Sequence, residues 1–515
     1  MAAVILGGCS IGNISPDACE TNDECVAGFG LGAICDDGYC AAPPPCVTGH
    51  DCRRVAGGGA CIEGQCVAQL PFDPTGACSS FEPPNLPDLP LVGDDAPLII
   101  GGMYFLNDSF GPPIRDASTL AVRQINEFGG MNGGRRLALV ICDNFGDKAA
   151  AYEADRDGFV TGAVEYLAGR LGVPFAVGPL RSADAAPAVD YLTNEGRRYP
   201  TALITPSATS AVLSGPIDSL AEGEIGLFWR TAPSDEFQAK VLAQSVVGQH
   251  PMIDTGVNKV VVSHLEDEYG IGFQQIFQAS YSGESVPKGF AENATATEIA
   301  DGAASEGSDA VVFIDVEVDR ARAFVEEMAA RSQLSSRYLL LTDGSRNLEL
   351  FTGASTAARN FLDTRTAGTA PAPEQTPLFA TFKDQLQSGF GWDADAVVFT
   401  EHAYDATYAG AAAVVWASQG DNNQYDGRQV AEGLLQLLPG MPIDVGATGW
   451  TLIKTGLTSG ARTVNLNGVS GDLDWDPNGE VKAPIEVWRP RNDSVACGGN
   501  PPCLVTVETI PVSAL

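Results

Sequence analysis

The side chains with chemical potential fall into three groups: cysteines at repeated short spacings, an acidic stretch with calcium-loop spacing, and hydroxyls and carboxylates where apolar runs end. Ten of the 13 cysteines lie within the first 78 residues. Cys19 to Cys40 and Cys46 to Cys66 are one unit written twice, as C-x5-C-x9-C-x4-C and C-x5-C-x8-C-x4-C. Segments this short and this poor in apolar residues cannot bury a core and need cross-links. Two disulfides per repeat are expected, with the pairing left open. Zinc competes, because thiolates at short spacing also make tetrahedral sites, but no C-x2-C pair occurs and His50 is the one histidine nearby. In "CGGNPPC", Cys497 and Cys503 suit a small closed loop. Cys78 and Cys142 either pair or stay free, and burial of Cys142 as a small apolar residue is the alternative. Such cysteine density belongs to an oxidising compartment.

The acidic stretch is Asp474 to Gly479, "DWDPNG", which spells the first half of a calcium loop. Its twelfth position is Ile485 rather than a bidentate glutamate, so calcium is not expected. Asn478-Gly479 reads instead as a tight hairpin. The glycines of "GFGLG" lie between cysteines and not after a buried strand, so they are no dinucleotide fingerprint. The four histidines are scattered, and neither a G-x-S-x-G elbow nor a P-loop occurs. No enzyme, metal or cofactor is expected. With 30 basic residues against 65 acidic ones and a net charge of -35, a nucleic-acid partner is excluded.

The third group is the informative one. Ser182, in "GPLRS", follows an apolar run and precedes a helical pattern, so its hydroxyl and the next backbone N–H groups face a helix N-terminus, a ready place for a carboxylate. In "ITPSATS", Pro206 fixes a turn, and Ser207 and Thr209 offer groups to the same point. Asp343 ends the run "LLLTDG". Helix capping is the competing role for Ser182 and Thr209, and a plain turn for Asp343.

These loops need a frame that brings strand ends together. From Leu98 the chain alternates short apolar runs ("LIIGGMY", "LALVIC", "PFAVGPL", "TALITPS", "KVVVSHL", "DAVVFIDV", "RYLLLTD") with helical patterns. Runs flanked by helices read as central strands of a parallel sheet. After Pro112 and Pro113, the residues Ile114, Ala117, Ala121, Ile125 and Phe128 fall on one helical face, and Gly129 and Gly130 stop that helix. The architecture is α/β, doubly wound, with ligands meeting the carboxyl ends of the strands.

In order along the chain, "INEFGGMNGGRRLALVICDN", "AVGPLRSADAAPAVDYL", "ALITPSATSAVLS", "LFWRTAPSDEFQAKVLA", "EDEYGIGF", "AYDATYAGAAAV" and "GVSGDLDWDPNGE" resemble the type I periplasmic binding proteins, in the leucine/isoleucine/valine-binding branch of ABC importers. The resemblance covers about residues 98–490. It implies two α/β lobes joined by three crossings, one from about 98–231 plus 366–445 and the other from about 232–365 plus 446–490. It also implies that Ser182, Ser207 and Thr209 hold a solute's carboxylate and ammonium, that Asp343 pairs with the ammonium, and that Tyr269 lines the cleft opposite Phe110. Where this branch often presents a second tyrosine, the chain reads "VVFIDVEVDRA", with Asp315 or Val316 at that place. The implied solute is a small zwitterion such as an amino acid, delivered to an ABC permease. Val316 keeps an amide or urea as an alternative, and a surface sensor or adhesion protein on the same fold is another.

Leu6-Gly7-Gly8-Cys9 resembles a bacterial lipobox, which implies a diacylated Cys9 and a membrane-anchored protein of the periplasm or cell surface, its signal shortened at the start; an ordinary cysteine after an apolar terminus is the alternative. No run of 18 or more apolar residues crosses a membrane. The expected organisation is a tether over 1–18, two Cys-rich repeats over 19–78, loosely similar to Dickkopf-type modules, and a Pro-rich linker over 79–97. The two-lobed binding domain and an extension over 491–515 follow.

Overall fold

The computed structural model describes residues 18–514 apart from 107–108, 145–154, 195–196, 215–217, 222, 249–256, 421–423 and 439. Cys9, expected to carry lipid, lies outside the described residues. Two separate sheets, each with helices on its faces, form the two lobes. In the first the strand order is Phe228–Arg230, Ala202–Thr205, Phe175–Val177, Leu98–Tyr104, Leu137–Asp143 and Ser80–Glu82, all parallel except the last. In the second it is Glu284–Phe290, Lys259–Leu265, Ala310–Ile314, Tyr338–Leu341, Thr366–Pro371, Ile485–Arg491 and Cys503–Ile510, parallel except that Ile485–Arg491 runs antiparallel to both its neighbours.

The central strands are the near-continuous apolar runs of the sequence, buried on both faces as parallel strands between helices must be. The helix Gly111–Glu127 begins with both prolines in its first turn and buries Ile114, Ala117, Ala121 and Ile125 completely. Phe128 ends up at the helix terminus, 37% exposed, rather than on that face. Helix Thr400–Ala417 packs against Gly111–Glu127 and is buried along nearly its whole length, which its run of alanines allows.

Both lobe boundaries expected after residue 365 shift. Thr366–Pro371 belongs to the second sheet, paired with Tyr338–Leu341 on one side and Ile485–Arg491 on the other. Its sequence, TAGTAP, lacks the β-branched run that marks a strand, because Gly368 lies under the Trp488 ring, where a Cβ would come within 2.6 Å of ring atoms. Helix Ala447–Thr458 stays with the first lobe: Trp450 Nε1 and Lys454 Nζ both donate to Gly130 O at 2.8 Å. The crossings therefore fall between Arg230 and Asp235, between Pro371 and Pro377, and between residues 471 and 485. The extension expected after residue 490 contributes to the second lobe, since Cys503–Ile510 is the edge strand of its sheet.

The amino-terminal segment also differs from a tethered module. Each repeat pairs its first cysteine with its third and its second with its fourth: Cys19–Cys35 and Cys25–Cys40, then Cys46–Cys61 and Cys52–Cys66. The residues expected to form a linker are strapped to the first lobe. Cys78 is bonded to Cys142, Ser80–Glu82 covers the sheet edge, and Leu86, Leu91 and Ala96 are buried. The second repeat docks through Arg53, which donates to Gly172 O and Tyr425 O, both at 2.9 Å, and stacks on the Tyr425 ring. The Pro-rich composition suggested an extended spacer, but its leucines are spaced to reach a neighbouring surface.

Candidate functional site

Three hydroxyls of the first lobe lie where two strands end. Strand Phe175–Val177 leads through Gly178 into Pro179, Leu180 and Arg181 and then into helix Ser182–Thr193. Gly178 takes φ +109, and a Cβ there would lie 2.3 Å from Met103 O, so only glycine lets the loop pass so close to the neighbouring strand. The loop after Ala202–Thr205 is stitched to this one. Thr205 Oγ1 donates to Pro179 O at 2.6 Å, Ser207 Oγ to Leu180 O at 2.8 Å, and Ser210 N to Ser182 Oγ at 3.2 Å. The Ser207 hydroxyl proton is thus committed to the scaffold, whereas Ser182 accepts and keeps its proton to donate.

Thr209 is the deepest of the three, 1% exposed, and its hydroxyl faces the Asp235 carboxyl. Asp235 opens helix Asp235–Val246, and its N–H donates to Thr209 O at 2.8 Å. Arg230, buried at the end of the adjacent strand, fixes this loop by donating to Thr209 O at 3.0 Å and Ser210 O at 2.8 Å, and it pairs with Glu480.

The second lobe supplies the facing groups. Tyr269 Oη lies 2.7 Å from both Thr342 Oγ1 and Asp343 Oδ1. Gln238, one turn along the helix from Asp235, donates to Asp343 Oδ1 at 2.8 Å and to Thr369 O at 2.9 Å. Ser182, Thr209, Asp235, Tyr269 and Asp343 are all buried, so the lobes are shut over them. Direct contacts cross the gap: besides the Asp235 N–H on Thr209 O, Ser210 Oγ donates to Glu268 O at 2.7 Å, Arg181 pairs with Glu292 at 2.9 Å and lies 4.0 Å from Asp267, and Asn347 Nδ2 reaches Ser109 Oγ at 3.3 Å.

The electrostatics are one-sided. Burial, and then the neighbouring Asp343 charge, hold the Asp235 carboxyl well above the ordinary carboxylate range. Burial also raises Asp343, against the hydrogen bonds from Tyr269 and Gln238. Among the described residues no lysine or arginine stands at ion-pair distance from either acid. Two carboxyls so placed resist ionising together, and an incoming cation relieves both.

The residues anticipated from sequence divide as follows. Tyr269 and Asp343 meet, Thr209 reaches them through Asp235, and Ser182 joins the same loop through Ser210 N. Ser207 stands beside them as scaffold. Phe110 is half-buried, edge-on to Phe399 at 6.0 Å, on the first-lobe side. Asp315 does not join them: Arg320 grips both its oxygens at 2.6 Å and it caps the N–H groups of Val316 and Glu317, so its carboxylate is consumed by its own helix. Val316 is half-buried between packed clusters. Asp235, Gln238, Arg230 and Arg181 were not anticipated. The available signal was "FWRTAPSDEFQ", an arginine at a strand end and an acid just inside a helix start.

No curated protein sequence matches this chain. Solved structures do. The leucine-binding protein LivK from Thermotoga maritima MSB8 aligns with a TM-score of 0.59 at 17% identity, over 81% of this chain and 100% of the other. The branched-chain amino acid transporter substrate-binding protein LivJ from Streptococcus pneumoniae, in complex with isoleucine, gives 0.57 at 20% identity, over 80% and 99%. A solute-binding protein of an ABC transporter from R. palustris, in complex with benzoate, gives 0.58 at 13% identity, over 81% and 97%. At such identities the likeness is one of fold, the two-lobed type I periplasmic binding fold. The model of the receptor family ligand-binding region matches residues 114–492, most of the chain, so this protein belongs to that family.

Proposed function

We propose that the chain is an extracytoplasmic solute-binding protein that closes on a free amino acid. The ammonium sits against Asp235, Asp343 and Tyr269. The carboxylate points to the Ser182 and Thr209 hydroxyls and to the N-terminus of helix Ser182–Thr193, whose backbone dipole favours an anion. One observation carries the reading: two buried carboxyls, Asp235 and Asp343, act on one another with no lysine or arginine at ion-pair distance among the described residues. A monocarboxylate such as the benzoate of the R. palustris relative brings no cation, and two acids would face it; a zwitterion satisfies both ends.

The wider role follows from the same reading. The two relatives named for leucine and branched-chain amino acids support delivery to an ABC permease. Six disulfides require an oxidising compartment, and Leu6-Gly7-Gly8-Cys9 supports a lipid anchor. A thermal-shift panel of amino acids, amides and small carboxylates tests the ligand class. A true ligand at about 100 times its dissociation constant adds roughly 2.7 kcal/mol to the native state. Stabilisation by carboxylates or amides with none by amino acids would overturn the assignment.

A further inference from the structure

A cavity opens at the hinge and involves neither Ser182, Thr209 nor Tyr269. Its volume is about 500 Å3, within the range of small-molecule sites. Both lobes build it: Phe379, Val398 and Glu401 come from the first, and Arg346, Glu486 and Leu504 from the second. One wall is the carboxy-terminal segment closed by Cys497–Cys503. That wall lies beyond residue 492, where the family match ends.

The charges in this cavity do not cancel. Arg346 and Glu486 are buried and paired with one another, and Glu486 takes the Thr506 hydroxyl on its other oxygen. Glu401, 3% exposed, receives the Thr400 hydroxyl at 3.1 Å and lies 3.7 Å from His402 Nε2. Burial lowers that imidazole to about 4, so it is neutral at neutral pH. Glu401 therefore has no charged cation at ion-pair distance among the described residues, and burial pushes its carboxyl up to about 7 against the more distant Arg346 charge. Phe399, two residues earlier, adopts φ +69, a left-handed conformation that costs a bulky side chain and here sets the start of helix Thr400–Ala417.

We propose that the hinge cavity is a second ligand site, for a small organic cation with an apolar body, its ammonium or amidinium against Glu401 and its hydrocarbon along Phe379, Val398 and Leu504. Because both lobes line the cavity, its ligand binds alongside the solute of the main cleft and steadies the hinge in the closed arrangement.

Phenethylammonium is the probe, titrated calorimetrically into the full chain at pH 8, where Glu401 is ionised. Wild type and Asp343→Asn bind it within about twofold of one another, Glu401→Gln weakens it tenfold or more, Leu504→Trp blocks it by filling the cavity, and phenylacetate does not bind. Thermal melts identify which variants are folded, and Leu504→Trp carries the test where Glu401→Gln is not. Absence of binding at millimolar probe, or undiminished affinity in either folded cavity variant, overturns the site. Loss in Asp343→Asn does so as well, because it places the amine in the main cleft.

Discussion

Arg181 of the first lobe and Glu292 of the second meet at 2.9 Å across the cleft, the guanidinium lying over the Phe105 ring on its own side. A bond that joins the lobes can form only when they close, so it acts on the open–closed equilibrium and not on the fold of either lobe. Glu292 keeps 29% of its side chain in water while Arg181 keeps 3%, and Arg181 retains Asp267 at 4.0 Å when Glu292 is lost, so the pair is worth about 1 kcal/mol. Glu292→Gln should weaken solute binding by about two- to fivefold and raise the radius of gyration of the unliganded protein in X-ray scattering. An unchanged affinity would show that closure does not depend on this pair.

Asp235 and Asp343 link binding to protons. Both carboxyls are raised, so they are partly protonated in the empty cleft at pH values where an ordinary carboxyl is ionised. An ammonium favours the ionised forms. Amino-acid binding should therefore release protons, and affinity should climb as pH rises through the raised range. For the ligand-free fold the sign is opposite: the contribution of these acids to stability is fully present below the ordinary carboxyl pKa and lost as pH rises through the raised values. Arg230 opposes the shift at Asp235 and Asp267 adds to it, without reversing the direction. Calorimetry in buffers of different ionisation enthalpy reads the proton count. Asp235→Asn should reduce it, and proton uptake on binding would contradict the pairing.

The amino-terminal strap should behave as part of the first lobe. Cys78–Cys142 closes a segment of 64 residues, which on the chain-entropy account is worth about 4 kcal/mol. Replacing both cysteines by serine should lower the denaturation midpoint accordingly. Arg53→Ala strands two buried carbonyls and should cost roughly 1–3 kcal/mol. Melting of the repeats as a separate, earlier transition with the lobes unaffected would restore the picture of an independent module.

Much of this was legible in the chain itself. Apolar runs gave the central strands, and the order of the loop motifs gave the two-lobed frame, because buried parallel strands and helix starts carry strong local patterns. Ser182, Thr209, Tyr269 and Asp343 are proposed from sequence because each stands at the end of such a run or the start of a helix. Thr366–Pro371 could not be read as a strand, since close packing under Trp488 selects small residues and removes the strand signature. Asp235 looked like an ordinary helix-start acid; its significance comes from Asp343, distant in sequence and brought near by closure. Asp315 stands at a strand end as the cleft residues do, but Arg320, five positions on, occupies its carboxylate.

The ammonium site is tested most directly by calorimetry of Asp343→Asn with the amino acid that stabilises wild type best. The substitution keeps the shape and removes the charge. Losing a charge-assisted hydrogen bond worth roughly 1.5–3 kcal/mol should lower affinity by about one to two orders of magnitude. Wild-type affinity in the folded variant would show that Asp343 only closes a turn and that the cleft does not hold an ammonium there.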